Sequence, residues 1–248
     1  LAVGTRLSQS TTFYDNRFIP ADAKIVQIEI DPQEIGRNYP ITVGIEGDAK
    51  AVMEGLLEKV REGEPKPNAR WVSEIGDLAA RRTNRLDDEG KDTDMPMKPQ
   101  KVYAELRKVI PRNAIIALDA GLAPNYGQDR LNYYEPRSLI TSLDLGGLGF
   151  SFPASIGAKF AAPDRPVINF NGDGGFLFNA QEFSTLVENN LPVVTVVMNN
   201  GIWGSEKAYQ RYAFDERYVG ADVTNPRYDK YAEIFGGAGF YVDRPEDI

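Results

Sequence analysis

The sequence contains no cysteine and no histidine among its 248 residues. Their absence excludes disulfides, thiolate nucleophiles, zinc sites built from these side chains and the serine–histidine–aspartate triad from this chain. Any catalysis must therefore come from carboxylates, amides, lysine, tyrosine or a bound cofactor.

Long apolar runs and an excess of positive charge are also missing. No apolar stretch approaches the ~18 residues that a membrane-spanning helix needs, and the N-terminus lacks the pattern of a secretion signal. The net charge of −8 disfavours binding to nucleic acid or to an anionic membrane. We expect a soluble, cytoplasmic protein without nucleic-acid or membrane partners, and the 42% apolar content supports a real hydrophobic core.

The first part of the chain has the pattern of an α/β domain. Residues 24–30 alternate apolar and polar side chains, which predicts a strand, and Asp48 precedes a helical pattern over 49–60. We interpret residues 1–62 as the C-terminal half of a central α/β domain. Residues 63–98 are rich in charge and proline, and we predict a linker with one helix near 71–82. Both ends of the chain look cut, so we expect a piece of a longer enzyme.

From residue 99 to 248, strand and helix patterns alternate. Helices are predicted at 100–110, 153–161, 180–189 and 228–235, and strands at 114–118, 167–171, 193–198 and 239–242. The strands are mostly apolar and rich in Val and Ile, which is typical of strands buried on both faces of a parallel sheet. We therefore predict an α/β fold with a doubly wound parallel sheet.

Polar residues follow three of these predicted strands, at 119–121, 172–175 and 199–201, and the last two carry the argument. Asp173 lies in a Gly-Asp-Gly turn at 172–174, and Asn200 lies in an Asn-Asn-Gly turn at 199–201. Either motif alone indicates only a tight turn. The two motifs are separated by 24 residues, which is enough for one helix and one strand. The turns should therefore be neighbours at one edge of the sheet. Carboxylate and amide oxygens with adjacent glycines favour a metal-bridged diphosphate, with Mg²⁺ or Ca²⁺ as the ion.

This paired motif resembles the signature of thiamine-diphosphate-dependent enzymes. Residues 146–158 resemble the segment that enters the cofactor domain in the acetolactate-synthase-like branch, and residues 4–6, 28–36 and 47–50 resemble that branch's central domain. The resemblance implies the thiamine-diphosphate-binding fold over 99–248, truncated at its C-terminal end, preceded by part of a Rossmann-like central domain.

The resemblance also assigns cofactor and metal residues. Mg²⁺ would be bound by the side chains of Asp173 and Asn200 and by the backbone carbonyl of Ile202. The residues implied in binding thiamine diphosphate are Gly121, Leu148, Gly172, Asp173, Gly174, Gly175, Asn200, Ile202 and Gly204. Leu148 would prop the cofactor into its bent, self-activating form, although without the motif it would be read as a core leucine. FAD or an adenine nucleotide in the central domain is disfavoured, because residues 7–10 differ from the stretch found in FAD-binding relatives.

One part of the family's site has no counterpart in this sequence. The glutamate that activates the cofactor lies in an N-terminal pyrimidine-binding domain, which no segment here resembles. The resemblance therefore implies that this chain alone is inactive, and that its site is completed by the pyrimidine-binding domain of another subunit in a homodimer or homotetramer.

The segment 203–210 bears on the reaction. Glu206 is a candidate catalytic acid/base and Lys207 a candidate contact for an anionic substrate, while a solvated ion pair is the alternative.

The resemblance implies carbon–carbon bond chemistry next to a carbonyl through a C2-carbanion and enamine, on a 2-oxo acid, aldehyde or acyl-CoA. The type of reaction implied is that of sulfoacetaldehyde acetyltransferase or acetolactate synthase. Alternatives are a 2-hydroxyacyl-CoA lyase, a non-catalytic cofactor-binding or assembly subunit, and an unrelated Mg²⁺-dependent phosphate-binding protein.

Overall fold

A computed structural model describes residues 1–63, 66–142 and 145–248, except for the side chain of Ser10. The chain forms two compact units, Leu1–Gly76 and Asp77–Ile248. Each unit has its own parallel sheet.

The first unit contains a three-stranded sheet in the order β1-β2-β3. Its strands are β1 (Ala2–Val3), β2 (Val26–Glu29) and β3 (Val43–Glu46), and its helices are α1 (Gln9–Thr12), α2 (Ala49–Glu62) and the first part of α3 (Ala69–Glu89). Helix α2 begins where predicted, because the Asp48 carboxylate accepts a hydrogen bond from the Ala51 N–H at 3.0 Å. The strand predicted at 24–30 is also confirmed, in a shorter form.

The second unit contains a four-stranded parallel sheet in the order β5-β4-β6-β7. The strands are β4 (Ile115–Leu118), β5 (Leu139–Thr141), β6 (Val167–Gly172) and β7 (Val193–Met198). The helices, apart from the last part of α3, are α4 (Pro99–Val109), α5 (Leu122–Arg130), α6 (Ser151–Ala161), α7 (Asp173–Phe176), α8 (Phe183–Glu188), α9 (Gly204–Ala213) and α10 (Tyr228–Ile234).

Helices cover both faces of this second sheet. On one face, Ile116 and Phe170 pack with Tyr103 of α4 in one hydrophobic cluster. A second cluster joins Phe152 of α6 and Leu186 of α8, with β7 side chains against it. Because the side chains of a strand alternate between faces, β6 is buried along its length. The predicted doubly wound parallel α/β fold is confirmed.

Helix α3 occupies much of the segment predicted as a linker. It has 21 residues and is therefore longer than the helix predicted at 71–82. Its last part belongs to the second unit, where Leu86 is buried and the Arg82 guanidinium contacts the Asp129 carboxylate at 2.6 Å. The Arg82–Asp129 ion pair thus joins this end of α3 to α5.

The predicted strand at 239–242 is wrong. These residues are described and have no strand structure, and Phe240 is 83% exposed. A strand needs a hydrogen-bonded neighbour, and within the described residues β7, the edge strand, pairs only with β6. The ring of Tyr241 instead lies 4.3 Å from the Arg227 guanidinium. The predicted helix 180–189 is divided into a 3₁₀ turn, Ala180–Glu182, and α8.

None of the helices in the described parts of the chain is long and apolar enough to cross a membrane.

Candidate functional site

The candidate site lies at the carboxyl edge of the second sheet. We call residues 172–175 and 199–202 the paired loops, since they follow the adjacent strands β6 and β7. The register aligns Gly172 with Met198. The Gly201 N–H donates a hydrogen bond of 2.7 Å to Asp173 Oδ2. The prediction that these two turns are neighbours is confirmed.

Asp173 is a buried acid of this site, with 2% of its surface exposed. Its Oδ1 accepts a hydrogen bond from the Gly174 N–H at 3.0 Å, and its Oδ2 accepts from Gly201 and from Asn225 Nδ2, both at 2.7 Å. A carboxylate has about four lone-pair positions, so three accepted bonds leave one of them, on Oδ1, for a further ligand.

Asn200 and Ile202 flank Gly201, whose N–H contacts Asp173, and each carries a further oxygen atom. The exposed Asn200 accepts a hydrogen bond at Oδ1 from the Ile202 N–H at 3.2 Å, which leaves the second lone pair of that oxygen. Ile202 also forms an isolated antiparallel bridge with Asp222, which holds the second paired loop in place. A carboxylate, an amide oxygen and a backbone carbonyl are hard donors, and this donor chemistry fits Mg²⁺.

Glycines in the first paired loop allow neighbouring side chains to pack closely against its backbone. A Cβ atom on residue 174 would lie 2.6 Å from Trp203 Cζ3, so the indole ring packs directly on this backbone. A Cβ on residue 175 would lie 3.2 Å from Asp119 Oδ1 and 3.8 Å from Leu148 Cδ2. The predicted residues Leu148 and Gly175 are therefore adjacent.

The other predicted glycines lie around the same edge. Gly121 precedes α5 with a φ of +115°, a conformation that favours glycine. Gly204 begins α9, where a Cβ would lie 3.4 Å from Leu122 Cβ, so the starts of α5 and α9 are close. At Gly172, a Cβ would have no atom of the described residues within 4 Å.

Asp119 belongs to this site but was not among the predicted site residues. It is fully buried, and its carboxylate accepts hydrogen bonds from the N–H groups of Ala120, Gly149 and Ser151, at 2.8 to 3.0 Å, and from Ser151 Oγ at 2.9 Å. It thereby joins the end of β4 to the segment that carries Leu148. Its position directly after a buried strand was the available sequence signal.

Asn225 and Tyr228 were also missed. Asn225 contacts both paired loops, and the Tyr228 hydroxyl reaches the backbone carbonyl of Asp173 at 3.0 Å. Burial, and then the charge of Asp173, raises the pKa of Tyr228 well above its usual value, so this hydroxyl is protonated at neutral pH and can donate. These residues follow Asp173 by more than fifty positions, and no spacing in the sequence indicates the contact.

Glu206 and Lys207 lie in the first turn of α9. The Glu206 side chain is exposed. The Lys207 ammonium contacts the Asp222 carboxylate at 2.6 Å and lies 5.4 Å from the centre of the Tyr218 ring. Lys207 therefore forms its ion pair with Asp222 rather than with Glu206.

We expect Gly174→Ala to lower the free energy of unfolding by about 1–3 kcal/mol, because the new methyl group overlaps the Trp203 ring. The measurement is a urea denaturation curve without cofactor. Gly172→Ala is the matched control in the same loop, where the methyl group enters open space. Equal midpoints for the two variants would contradict the packing of Trp203 on Gly174.

Two family profiles match the chain. Residues 1–56 match the central domain of thiamine pyrophosphate enzymes, within the first compact unit. Residues 119–248 match the C-terminal TPP binding domain of thiamine pyrophosphate enzymes, and this match contains both paired loops.

Curated relatives match along the whole chain. They include a probable acetolactate synthase large subunit from Methanococcus aeolicus (33% identical, 100% of this chain and 43% of the relative) and a sulfoacetaldehyde acetyltransferase from Castellaniella defragrans (30%, 100% and 45%). The acetolactate synthase large subunit of Haemophilus influenzae is 31% identical over 100% of this chain and 43% of its own length. The chain thus spans less than half the length of these relatives. Since the C-terminal profile alone covers more than half of the chain, the chain belongs to the thiamine pyrophosphate enzyme family.

Proposed function

We propose that the full-length protein is a thiamine-diphosphate- and Mg²⁺-dependent enzyme that makes or breaks a carbon–carbon bond next to a carbonyl. The observation that carries this proposal is the 2.7 Å hydrogen bond between Gly201 and the Asp173 carboxylate, which joins the paired loops at the carboxyl ends of adjacent parallel strands. Such a position, with oxygen donors from both loops, suits a diphosphate bound through a metal.

In this proposal Asp173, Asn200 and the Ile202 carbonyl hold Mg²⁺. Backbone groups of Gly121, Gly172, Gly174, Gly175 and Gly204 face the cofactor, and Leu148 supports its bent form. When bound, thiamine diphosphate supplies a carbon nucleophile that can attack a carbonyl substrate. The task of this chain's own residues is to hold the cofactor's diphosphate.

We place the reaction in the class of acetolactate synthase and sulfoacetaldehyde acetyltransferase, because relatives with both names match the whole chain. The donor would be a small 2-oxo acid, and the acceptor an aldehyde or a second 2-oxo acid. Active sites shared between two subunits of a homodimer or homotetramer belong to the same proposal. A cytoplasmic location stays a prediction from the sequence.

The test is a product screen with the full-length enzyme, thiamine diphosphate and Mg²⁺ in phosphate buffer. Pyruvate is supplied alone, with sulfoacetaldehyde, with other 2-oxo acids and with acyl-CoA thioesters, and products are identified by mass spectrometry. We expect a product with pyruvate alone or with sulfoacetaldehyde. Cleavage of an added 2-hydroxyacyl-CoA into an aldehyde and formyl-CoA, with no product from pyruvate, would favour a 2-hydroxyacyl-CoA lyase, and no product in any mixture would reject the proposed substrate class.

Glu206 is proposed as the acid/base of this reaction, since it is exposed in the first turn of α9, directly after the second paired loop. We expect Glu206→Gln to lower kcat by ~10²-fold or more, because general acid–base catalysis contributes at least that much, while cofactor affinity changes little. Glu216→Gln is the control, since Glu216 is an exposed acid beyond the end of the same helix. Equal kcat values for wild type and Glu206→Gln would remove Glu206 from the mechanism.

A further inference from the structure

We propose that Asn225 and Tyr228 are positioning residues that orient the Asp173 carboxylate so that its Oδ1 atom binds Mg²⁺. The inference rests on the proposed function and adds to it two residues outside the paired loops. Neither was indicated by the sequence motif.

Asn225 connects three parts of the site through one side-chain amide. Its Nδ2 group donates to Asp173 Oδ2 at 2.7 Å and to Asn199 Oδ1 at 2.9 Å, and so bridges the two paired loops. Its Oδ1 lies 2.9 Å from the Tyr228 hydroxyl. An amide NH₂ group has two protons, and both have a partner here.

The consequence for Asp173 is that its two oxygens become different. Oδ2 accepts from Gly201 and from Asn225, so its lone pairs are occupied by N–H donors. Oδ1 accepts only from the adjacent Gly174 among the described residues, so it retains a lone pair. Mg²⁺ takes oxygen ligands in a near-ideal octahedron, and a carboxylate fixed with one oxygen available is suited to that geometry.

Tyr228 determines which way the Asn225 amide faces. Its hydroxyl lies between two acceptors, the Asp173 carbonyl oxygen at 3.0 Å and Asn225 Oδ1 at 2.9 Å. The hydroxyl has a single proton, and when it donates this proton to Asn225 Oδ1, the NH₂ group of Asn225 is turned toward Asp173. The Tyr228 ring packs edge-on against Phe176 with centroids 5.5 Å apart, and a phenylalanine at 228 would keep this packing.

The experiment compares full-length wild type, Asn225→Ala and Tyr228→Phe by calorimetric titration of MgCl₂ into enzyme premixed with thiamine diphosphate. Loss of groups that orient a metal ligand typically weakens metal affinity 10–100-fold, so we expect a loss of about 100-fold for Asn225→Ala and about 10-fold for Tyr228→Phe. The Mg²⁺ concentration for half-maximal turnover should rise by the same factors, and saturating Mg²⁺ should restore the wild-type kcat.

Tyr231→Phe is the matched control. Tyr231 lies on the same helix and packs edge-on against the same Phe176 ring at 6.3 Å, but its hydroxyl contacts none of the paired-loop residues in the described part of the chain. It should bind Mg²⁺ as wild type does. If Asn225→Ala does not fold, Tyr228→Phe decides the question.

Two negative results are distinguishable. Wild-type Mg²⁺ affinity in Tyr228→Phe and in folded Asn225→Ala would overturn the positioning role and leave the proposed function intact. Wild-type enzyme that binds no thiamine diphosphate in the presence of Mg²⁺ would overturn the proposed function and, with it, this inference. A reduced kcat that saturating Mg²⁺ does not restore would indicate general structural damage and would also reject the positioning role.

Discussion

Replacing Asp173 with alanine in the full-length enzyme is expected to weaken Mg²⁺-dependent binding of thiamine diphosphate by about 100-fold or more. Changes in residues that only orient a metal ligand already cost 10–100-fold, and loss of a proposed ligand should exceed that. The substitution also leaves the donors of Gly201 and Asn225 without their acceptor, so the contact between the paired loops is lost at the same time. The measurement is calorimetric titration of the cofactor with and without Mg²⁺.

Two further variants make this result specific. Asp173→Asn keeps an oxygen acceptor but removes the charge, and it should still lose most of the Mg²⁺ dependence. Asp164→Ala is the control, because Asp164 is an exposed acid on the turn before β6, at the opposite end of the strand. Unchanged cofactor affinity in Asp173→Ala, with Asp164→Ala also unchanged, would reject the metal assignment.

The second large effect is expected at Asp119, where asparagine should lower the free energy of unfolding by about 3 kcal/mol or more. Oδ1 accepts from the N–H groups of Ala120 and Gly149, and Oδ2 accepts from the N–H and hydroxyl groups of Ser151. Whichever way an asparagine amide is turned, its NH₂ group faces donors on one side. Each buried donor left without an acceptor costs about 1–3 kcal/mol, and more where the lost acceptor is charged.

The midpoint of urea unfolding, measured without cofactor, tests this expectation. Ser151→Ala is the matched control, because it removes the hydroxyl group but keeps the Ser151 N–H bond to Asp119, and should cost about 1 kcal/mol. If Asp119→Asn unfolded at the same urea concentration as Ser151→Ala, the carboxylate would not be the anchor of the segment that carries Leu148.

The parts of the fold that could be predicted are those set by local pattern. Strands β6 and β7 are short segments rich in Val and Ile that end at glycine- or asparagine-containing turns, and Asp48 is a typical helix cap, so their positions followed from residue order. Helix α5 was missed because it contains Pro124 and Gly127, two poor helix formers, and it is held instead by burial against β4. The strand predicted at 239–242 had the right local pattern but lacks a pairing partner in the described residues.

The candidate site also has parts that could be predicted from local sequence pattern and parts that could not. The paired loops could be predicted because consecutive parallel strands end at one edge, which makes sequence spacing informative. Asn225 could not, because it reaches Asp173 only through the packing of α10, and no periodicity specifies which distant residue will return to a loop. The hydrogen bonds of Asp119 are a similar case. The sequence shows that Asp119 directly follows a predicted strand, but it does not show which four groups donate to its carboxylate.

Because the Trp203 indole packs on Gly174, binding at the site can be followed by tryptophan fluorescence. The chain has two tryptophans, and Trp71 is 63% exposed, whereas Trp203 lies against the first paired loop and edge-on to Phe178 at 6.1 Å. In this chain a Trp71→Phe background would therefore leave Trp203 as the one tryptophan, and its emission wavelength, with excitation chosen to avoid tyrosine, would report the polarity at the backbone of residue 174. Ligand arrival could then be followed in real time, without any added dye.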